Sequence, residues 1–182
     1  MMCRRRHSGK ALDAGGRGGF TLVELVILMT IITVMAVFAA EKVQYAIQTS
    51  KLSAAAAKVA SDIRYAQQLA RTRNGWYGVS FAVSPTNQYT VYSTDGATDT
   101  AVTDPVNPAQ TLVNNIATGF GGVAISAVNI AGGNKVEFNP TGAPYNDKTG
   151  TLLAANGTVT LAFGGATRTV TITPNTGRVV VP

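Results

Sequence analysis

Residues 20–40 read FTLVELVILMTIITVMAVFAA, and this stretch decides the fold. Its only charge is Glu24, and it contains neither Gly nor Pro. As a helix rising about 1.5 Å per residue, its 21 residues reach about 31 Å, the thickness of a hydrocarbon core. A signal-peptide core is shorter and ends at a small-residue cleavage site, so a membrane-spanning helix is expected here. The breaker-free run continues outward to Asn74. All seven Pro and fourteen of the nineteen Gly lie at or beyond Gly75. One long helix followed by short strands and turns is the consequence.

From residue 41 the pattern turns amphipathic. Leu52, Ala56, Val59, Ile63, Ala66 and Ala70 recur at helical spacing and form a stripe that must pack on something. Lys51, Lys58, Asp62, Arg64, Arg71 and Arg73 lie off the stripe and read as a solvated face. The small residues 54–57 allow close approach of another backbone, and Asn74-Gly75 is a helix stop. Beyond it, strands are expected at 76–83, 88–93, 112–116, 123–128 and 135–138, with a loop carrying Asp95, Asp99, Asp104, Pro105 and Pro108. Alternation is clearest at the end. Val159, Leu161 and Phe163 precede a Gly164-Gly165 hairpin turn, Val170 and Ile172 follow, and 174–177 turns into a last strand. Asn156-Gly157-Thr158 matches a glycosylation sequon, but Asn-Gly reads as a turn. Such strands need a cover for their apolar face, and the helix stripe supplies it. The class is α+β: a 20–40 membrane helix, its 41–74 amphipathic continuation and a 75–182 β-rich domain.

Composition excludes much chemistry. The single Cys and single His are Cys3 and His7, so the body of the chain holds no disulfide, Cys/His zinc site or His-based nucleophilic arrangement. No carboxylate pair stands out for hydrolysis, and no cofactor or metal is implied. The formal charge of +6 is uneven: residues 1–19 carry Arg4, Arg5, Arg6, Lys10 and Arg17 against Asp13, a net +4. A Gly-rich basic head of this kind does not fold alone, and it predicts a cytoplasmic N-terminus with an exported body.

Glu24 is the costly residue, because a carboxylate in a membrane helix needs a cation. Cleavage between Gly19 and Phe20 would create one, the Phe20 α-amino group, about one helical turn away or on a neighbouring helix. Residues 18–25, GGFTLVEL, resemble the class III signal of type IV pilins and type II secretion pseudopilins. The resemblance implies that 1–19 is a prepilin leader and that a membrane aspartyl prepilin peptidase cuts after Gly19. It further implies that Phe20 is N-methylated and that Glu24 assists filament assembly.

Residues 61–71 (SDIRYAQQLAR), 76–79 (WYGV), 136–142 (VEFNPTG), 168–172 (RTVTI) and 176–179 (TGRV) resemble the GspH/FimT group within that family. This implies a pilin-like fold with two packed sheets and a structural minor subunit near a filament tip. The implied partners are other pilins or pseudopilins, the peptidase, the inner membrane and an assembly platform protein. The assembled filament would lie in the periplasm or at the cell surface. Two other readings compete: a minor pilin that takes up DNA, and an anchored exported domain unrelated to filaments. Some members of the group bind DNA through a basic C-terminal element. Here Arg168 and Arg178 are the candidate contacts, but residues 74–182 carry a net −1. Asp95, Asp99 and Asp104 lack the alternating ligands of a calcium loop and read as solvated. Trp76 and Tyr77 read as a core anchor rather than a ligand-stacking pair.

Overall fold

The breaker-free run folds as one helix, α1 (Leu22–Thr72), in a computed structural model that describes residues 19–182. The leader residues 1–18, with Cys3 and His7, lie outside the described residues. Asn74 adopts a left-handed φ of 50° and the Gly75 amide returns to the Ala70 carbonyl at 3.2 Å, which closes the helix where the Asn-Gly pair predicts. The described chain divides after Lys42 into two compact units. The first contains only the apolar part of α1, whose large side chains from Leu22 to Phe38 are exposed.

The second unit carries two antiparallel sheets. The larger runs β3-β2-β1-β6-β7, with β4 also on β2: β1 (Trp76–Ala82), β2 (Gln88–Thr94), β3 (Asp99–Ala101), β4 (Val113–Asn115), β6 (Lys135–Phe138) and β7 (Pro144–Tyr145). The smaller runs β10-β9-β8-β5, with β5 (Ala124–Asn129), β8 (Gly157–Phe163), β9 (Ala166–Ile172) and β10 (Val179–Val180). The Gly164-Gly165 turn joins β8 to β9 with positive φ at both residues, the geometry a two-residue hairpin requires. All six stripe residues of α1 are buried, with Ala55, Ala60 and Leu69, in one core with Val79, Phe81, Val91, Val136 and Phe138 of the larger sheet and Ile125, Leu161, Val170 and Ile172 of the smaller.

Several short elements depart from the sequence reading. The loop containing Asp99 holds β3, ordered by pairing with β2. The 112–116 run splits into β4 and a single helical turn, α2 (Ile116–Gly119), whose first amides are capped by Asn115 Oδ1 at 3.0 Å to Thr118 N. β7 is two residues long and had no periodicity to announce it. Asn156-Gly157 is not a hairpin turn: Gly157 begins β8, buried, where a Cβ would lie 3.2 Å from Leu153 Cδ2. The larger correction concerns polarity. Asp62 and Glu137 are buried at 6% and 1% exposure, although Asp62 reads from spacing as solvated. Among the described residues no buried side-chain nitrogen or oxygen lacks a partner.

Gly78 sits mid-sheet between Tyr92 and Glu137, and a Cβ there would come within 2.7 Å of the Val136 carbonyl oxygen and of Glu137 Cγ. Gly78→Ala is therefore expected to cost about 1–3 kcal/mol through overpacking. Gly119→Ala meets nothing within 4 Å and is expected to change stability by less than about 0.5 kcal/mol. Thermal melts of both variants followed by circular dichroism check the contrast; equal melting temperatures would refute it.

Candidate functional site

The first candidate site is the start of α1. Gly19 and Phe20 precede the helix outside regular structure, Phe20 is 74% exposed, and nothing approaches within 4 Å of a Cβ built on Gly19. Thr21 caps the helix, its hydroxyl accepting from the Glu24 amide at 3.2 Å, so Thr21-Leu22-Val23-Glu24 has the spacing of a capping box. The sequence reading missed this cap, although the Thr-x-x-Glu signal was present. Glu24 lies in the first turn, where the helix dipole favours an anion.

The rest of this segment is prepared for an apolar surrounding. The Thr30 and Thr33 hydroxyls donate back to the Ile27 and Met29 carbonyls at 2.7 Å each, which removes the cost of carrying free hydroxyls into hydrocarbon. Between them Val26, Met29, Thr30, Thr33 and Val34 line a shallow groove of about 370 Å³. An apolar surface this extensive is stable in water only when something covers it.

In the second unit Lys58, Arg64, Arg71 and Arg73 are exposed, as the off-stripe spacing implies, while Asp62 is buried and several of these side chains also bond to the β-domain. Lys58 Nζ donates to both Asp62 carboxylate oxygens at 2.8 and 2.7 Å. Asp62 also accepts from Tyr89 Oη at 2.5 Å and Asn114 Nδ2 at 3.2 Å. Burial, reinforced by the Asp62 charge, pushes the Tyr89 hydroxyl well above its ordinary range, so it remains a donor. Arg64 donates to the Val179 carbonyl, Gln67 to those of Gly142 and Thr176, and Arg71 to that of Thr141. Lys51 Nζ stands 5.6 Å over the Phe163 ring. Gly142 and Gly177, both at positive φ, leave room for Arg71 and Gln67 where a Cβ would collide.

A second polar cluster centres on buried Glu137. It accepts from Tyr92 Oη at 2.7 Å and from the Lys148 amide at 2.6 Å, and Lys135 lies 3.2 Å away. Lys135 also pairs with Asp147 at 2.5 Å. That hydrogen bond is the main cause raising the Lys135 pKa and lowering the Asp147 carboxyl to about 2. The three loop acids do not converge. Asp95 caps Ala97 and Thr98 amides, which hold its carboxyl below the usual range, Asp99 lies on β3, and Asp104 caps Val106. Among the described residues no cluster of His, Cys, Asp and Glu fits a metal ion.

Arg168 and Arg178 are not brought together. Arg168, opposite Leu161 on β9, donates to the Pro182 carbonyl, while the exposed Arg178 precedes β10 with its carbonyl on the Thr173 amide. Arg178 lies across from Thr173, which is five residues along the chain from Arg168, about 16 Å of extended chain away. Trp76 and Tyr77 divide: Tyr77 is in the core, whereas Trp76 is half-buried and stands edge-on to Tyr145, ring centroids 5.1 Å apart.

Residues 55–177 match the family model described as type II transport protein GspH. No curated protein matches the chain. Two crystal forms of the type IV minor pilin FimU of Pseudomonas aeruginosa are similar in structure. One is 13% identical with a TM-score of 0.50, covering 74% of this chain and 90% of that one. The other is 12% identical with a TM-score of 0.48, covering 72% and 92%. At such identity the likeness concerns the fold: a long helix on antiparallel sheets.

The Lys135–Asp147 pair sets a pH dependence. The Asp147 carboxyl titrates at about 2 in the folded chain against 3.8 ordinarily, so its contribution is complete above the ordinary value and lost as pH falls through about 2. Relative to Asp147→Asn, the native chain should lose up to about 1 kcal/mol between about pH 5 and pH 2, the exposed pair being screened. Melting temperatures of both chains against pH should converge at the acid end; parallel curves would remove the pair from the account.

Proposed function

The chain belongs to the GspH family of type II transport proteins, and we propose that it is a minor pilin or pseudopilin, a structural subunit of a type II secretion or type IV pilus filament. Proteins of this family are structural, and the chain is not an enzyme. The observation that carries the reading is the junction within α1. An apolar segment with exposed side chains from Leu22 to Phe38 continues, in one unbroken helix, into a segment docked on a β-domain.

That arrangement suits a subunit with two successive surroundings. In the inner membrane, lipid covers the apolar segment and anchors the exported domain. In a filament, the helices of other pilin subunits replace the lipid against the same side chains, so transfer between the two costs little hydrophobic free energy. The basic leader holds the N-terminus in the cytoplasm until prepilin peptidase cuts after Gly19 and N-methylates Phe20. Glu24 then neutralises an α-amino group, its own or a neighbour's, and sets the axial register of the incoming helix. An assembly platform protein and its motor supply the work. The DNA-uptake reading gains no support from Arg168 and Arg178, which form no joint basic patch.

Coexpression with a prepilin peptidase tests the processing step. The intact mass is expected to fall by residues 1–19 and rise by one methyl group, and an uncut leader would overturn the proposal. Glu24→Ala and Glu24→Val are expected to be expressed and cut normally yet be depleted from purified filaments. Normal incorporation of both would exclude the register role.

A further inference from the structure

Where α1 enters the second unit, a cleft of about 360 Å³ opens between the helix and β9, lined by Tyr45, Thr49, Leu52, Ala166, Arg168 and Pro182 among others. Close by on the same helix, Lys51 Nζ stands over the Phe163 ring and beside the Gly121 backbone. We propose that this end of the unit seats on the headgroups of anionic phospholipids, with Lys51 and Arg168 as phosphate contacts and Tyr45 as an interfacial anchor. The proposal rests on the reading that residues 20–40 span a membrane.

Charge is the first observation that selects such a surface. The segments meeting at this end, residues 43–52, 119–122 and 163–168, contain Lys51 and Arg168 but no Asp or Glu. Every Asp and Glu side chain of the unit is Asp62 or lies between residues 95 and 147. Asp62 is already matched by Lys58, and Asp147 by Lys135. The basic excess is thus placed at one end rather than spread around the unit, and Lys42 adds to it from just outside. Insertion does not account for these charges, because basic residues on the exported flank of an anchor oppose its orientation.

The second observation is proximity along the chain. Lys42 follows Ala40 by two residues and Tyr45 by five. Five residues reach at most about 18 Å extended and about 8 Å as helix, against a headgroup layer of about 5–8 Å on each side of the hydrocarbon. Tyr45 is 64% exposed, and an exposed Tyr at this depth suits the aromatic belt of a membrane interface. Helix side chains lean toward the N-terminus, so Lys51 leans toward the apolar segment.

The third observation is unused donor capacity. Among the described residues Lys51 has neither a carboxylate partner nor a hydrogen bond, and the Phe163 ring steadies its charge. Arg168 shares a face with Leu161 at the mouth of the cleft and gives one N–H to the Pro182 carbonyl. A guanidinium carries five such donors, and the remainder can grip phosphate oxygens in pairs.

Amide hydrogen exchange read by mass spectrometry tests the proposal on the full chain in nanodiscs of phosphatidylglycerol or phosphatidylcholine. In phosphatidylglycerol, residues 119–122 and 164–167 are expected to exchange about threefold or more slowly than in phosphatidylcholine, with no change at 95–100. Lys51→Gln and Arg168→Gln should each remove about half of that protection, whereas Arg178→Gln should leave it intact. Exchange across β1, expected to be the same in all chains, reports that each variant is folded. Soluble glycerol 3-phosphate added to the phosphatidylcholine discs is expected to protect nothing. Equal exchange in the two lipids overturns the proposal. So does protection that survives both substitutions, protection at 95–100 instead, or equal protection by soluble glycerol phosphate. A chain that enters neither disc counts against the membrane reading itself, so the two failures are told apart.

Discussion

The second unit depends on burying one narrow stripe of α1 against two sheets at once. Neither sheet has a core of its own: each presents one apolar face, and a single-layer sheet of this size is unstable in water. Ala55, Ala56, Ala60, Ala66 and Ala70 supply that cover with little side-chain bulk. Larger side chains at these positions would hold the sheets apart, and smaller ones in the sheets would leave voids. Leu52, Val59 and Ile63 fill the spaces between, from one side of the same stripe.

Around this stripe the polar side chains act as spacers with fixed partners. Asp62 gathers Lys58, Tyr89 and Asn114, so a carboxylate inside the domain is tolerated because every lone pair in use has a donor. Arg64 donates to the Val179 carbonyl of strand β10, and Gln67 and Arg71 donate to carbonyls of the Gly142, Thr176 and Thr141 turns. Gly142 and Gly177 are the complementary half of that arrangement, since only a missing Cβ admits the helix side chains. Glu137 works in the same way on the opposite face of the larger sheet, tying β2, β6 and the loop at Lys148 together. The same loop is anchored to the Asp95 carbonyl by Lys148.

The apolar half of α1 follows a different rule. It has no internal partner to select, so its side chains need only be apolar and its hydroxyls satisfied within the helix. Lipid and neighbouring helices are nearly equivalent solvents for such a surface. The one residue that distinguishes them is Glu24, whose carboxylate gains little from hydrocarbon and much from a cation.

The boundaries of α1, its two surfaces, the Gly164-Gly165 hairpin and the α+β class were legible in the sequence, because each rests on local periodicity or on a residue's own backbone preference. The short strands β3 and β7 were not legible, because two or three residues carry no period of their own and are ordered only by pairing with β2 and β6. Asp62 read as part of a solvated face, since a buried carboxylate is stable only beside a donor such as the Tyr89 hydroxyl that tertiary pairing delivers. The division of Trp76 from Tyr77 also belonged to the tertiary structure: adjacent aromatics look alike in sequence, and only the placement of the helix decides which face of β1 becomes core. Periodicity thus determined which elements form and which surface of each is apolar. Packing decided which charges are buried and which aromatic remains open to solvent.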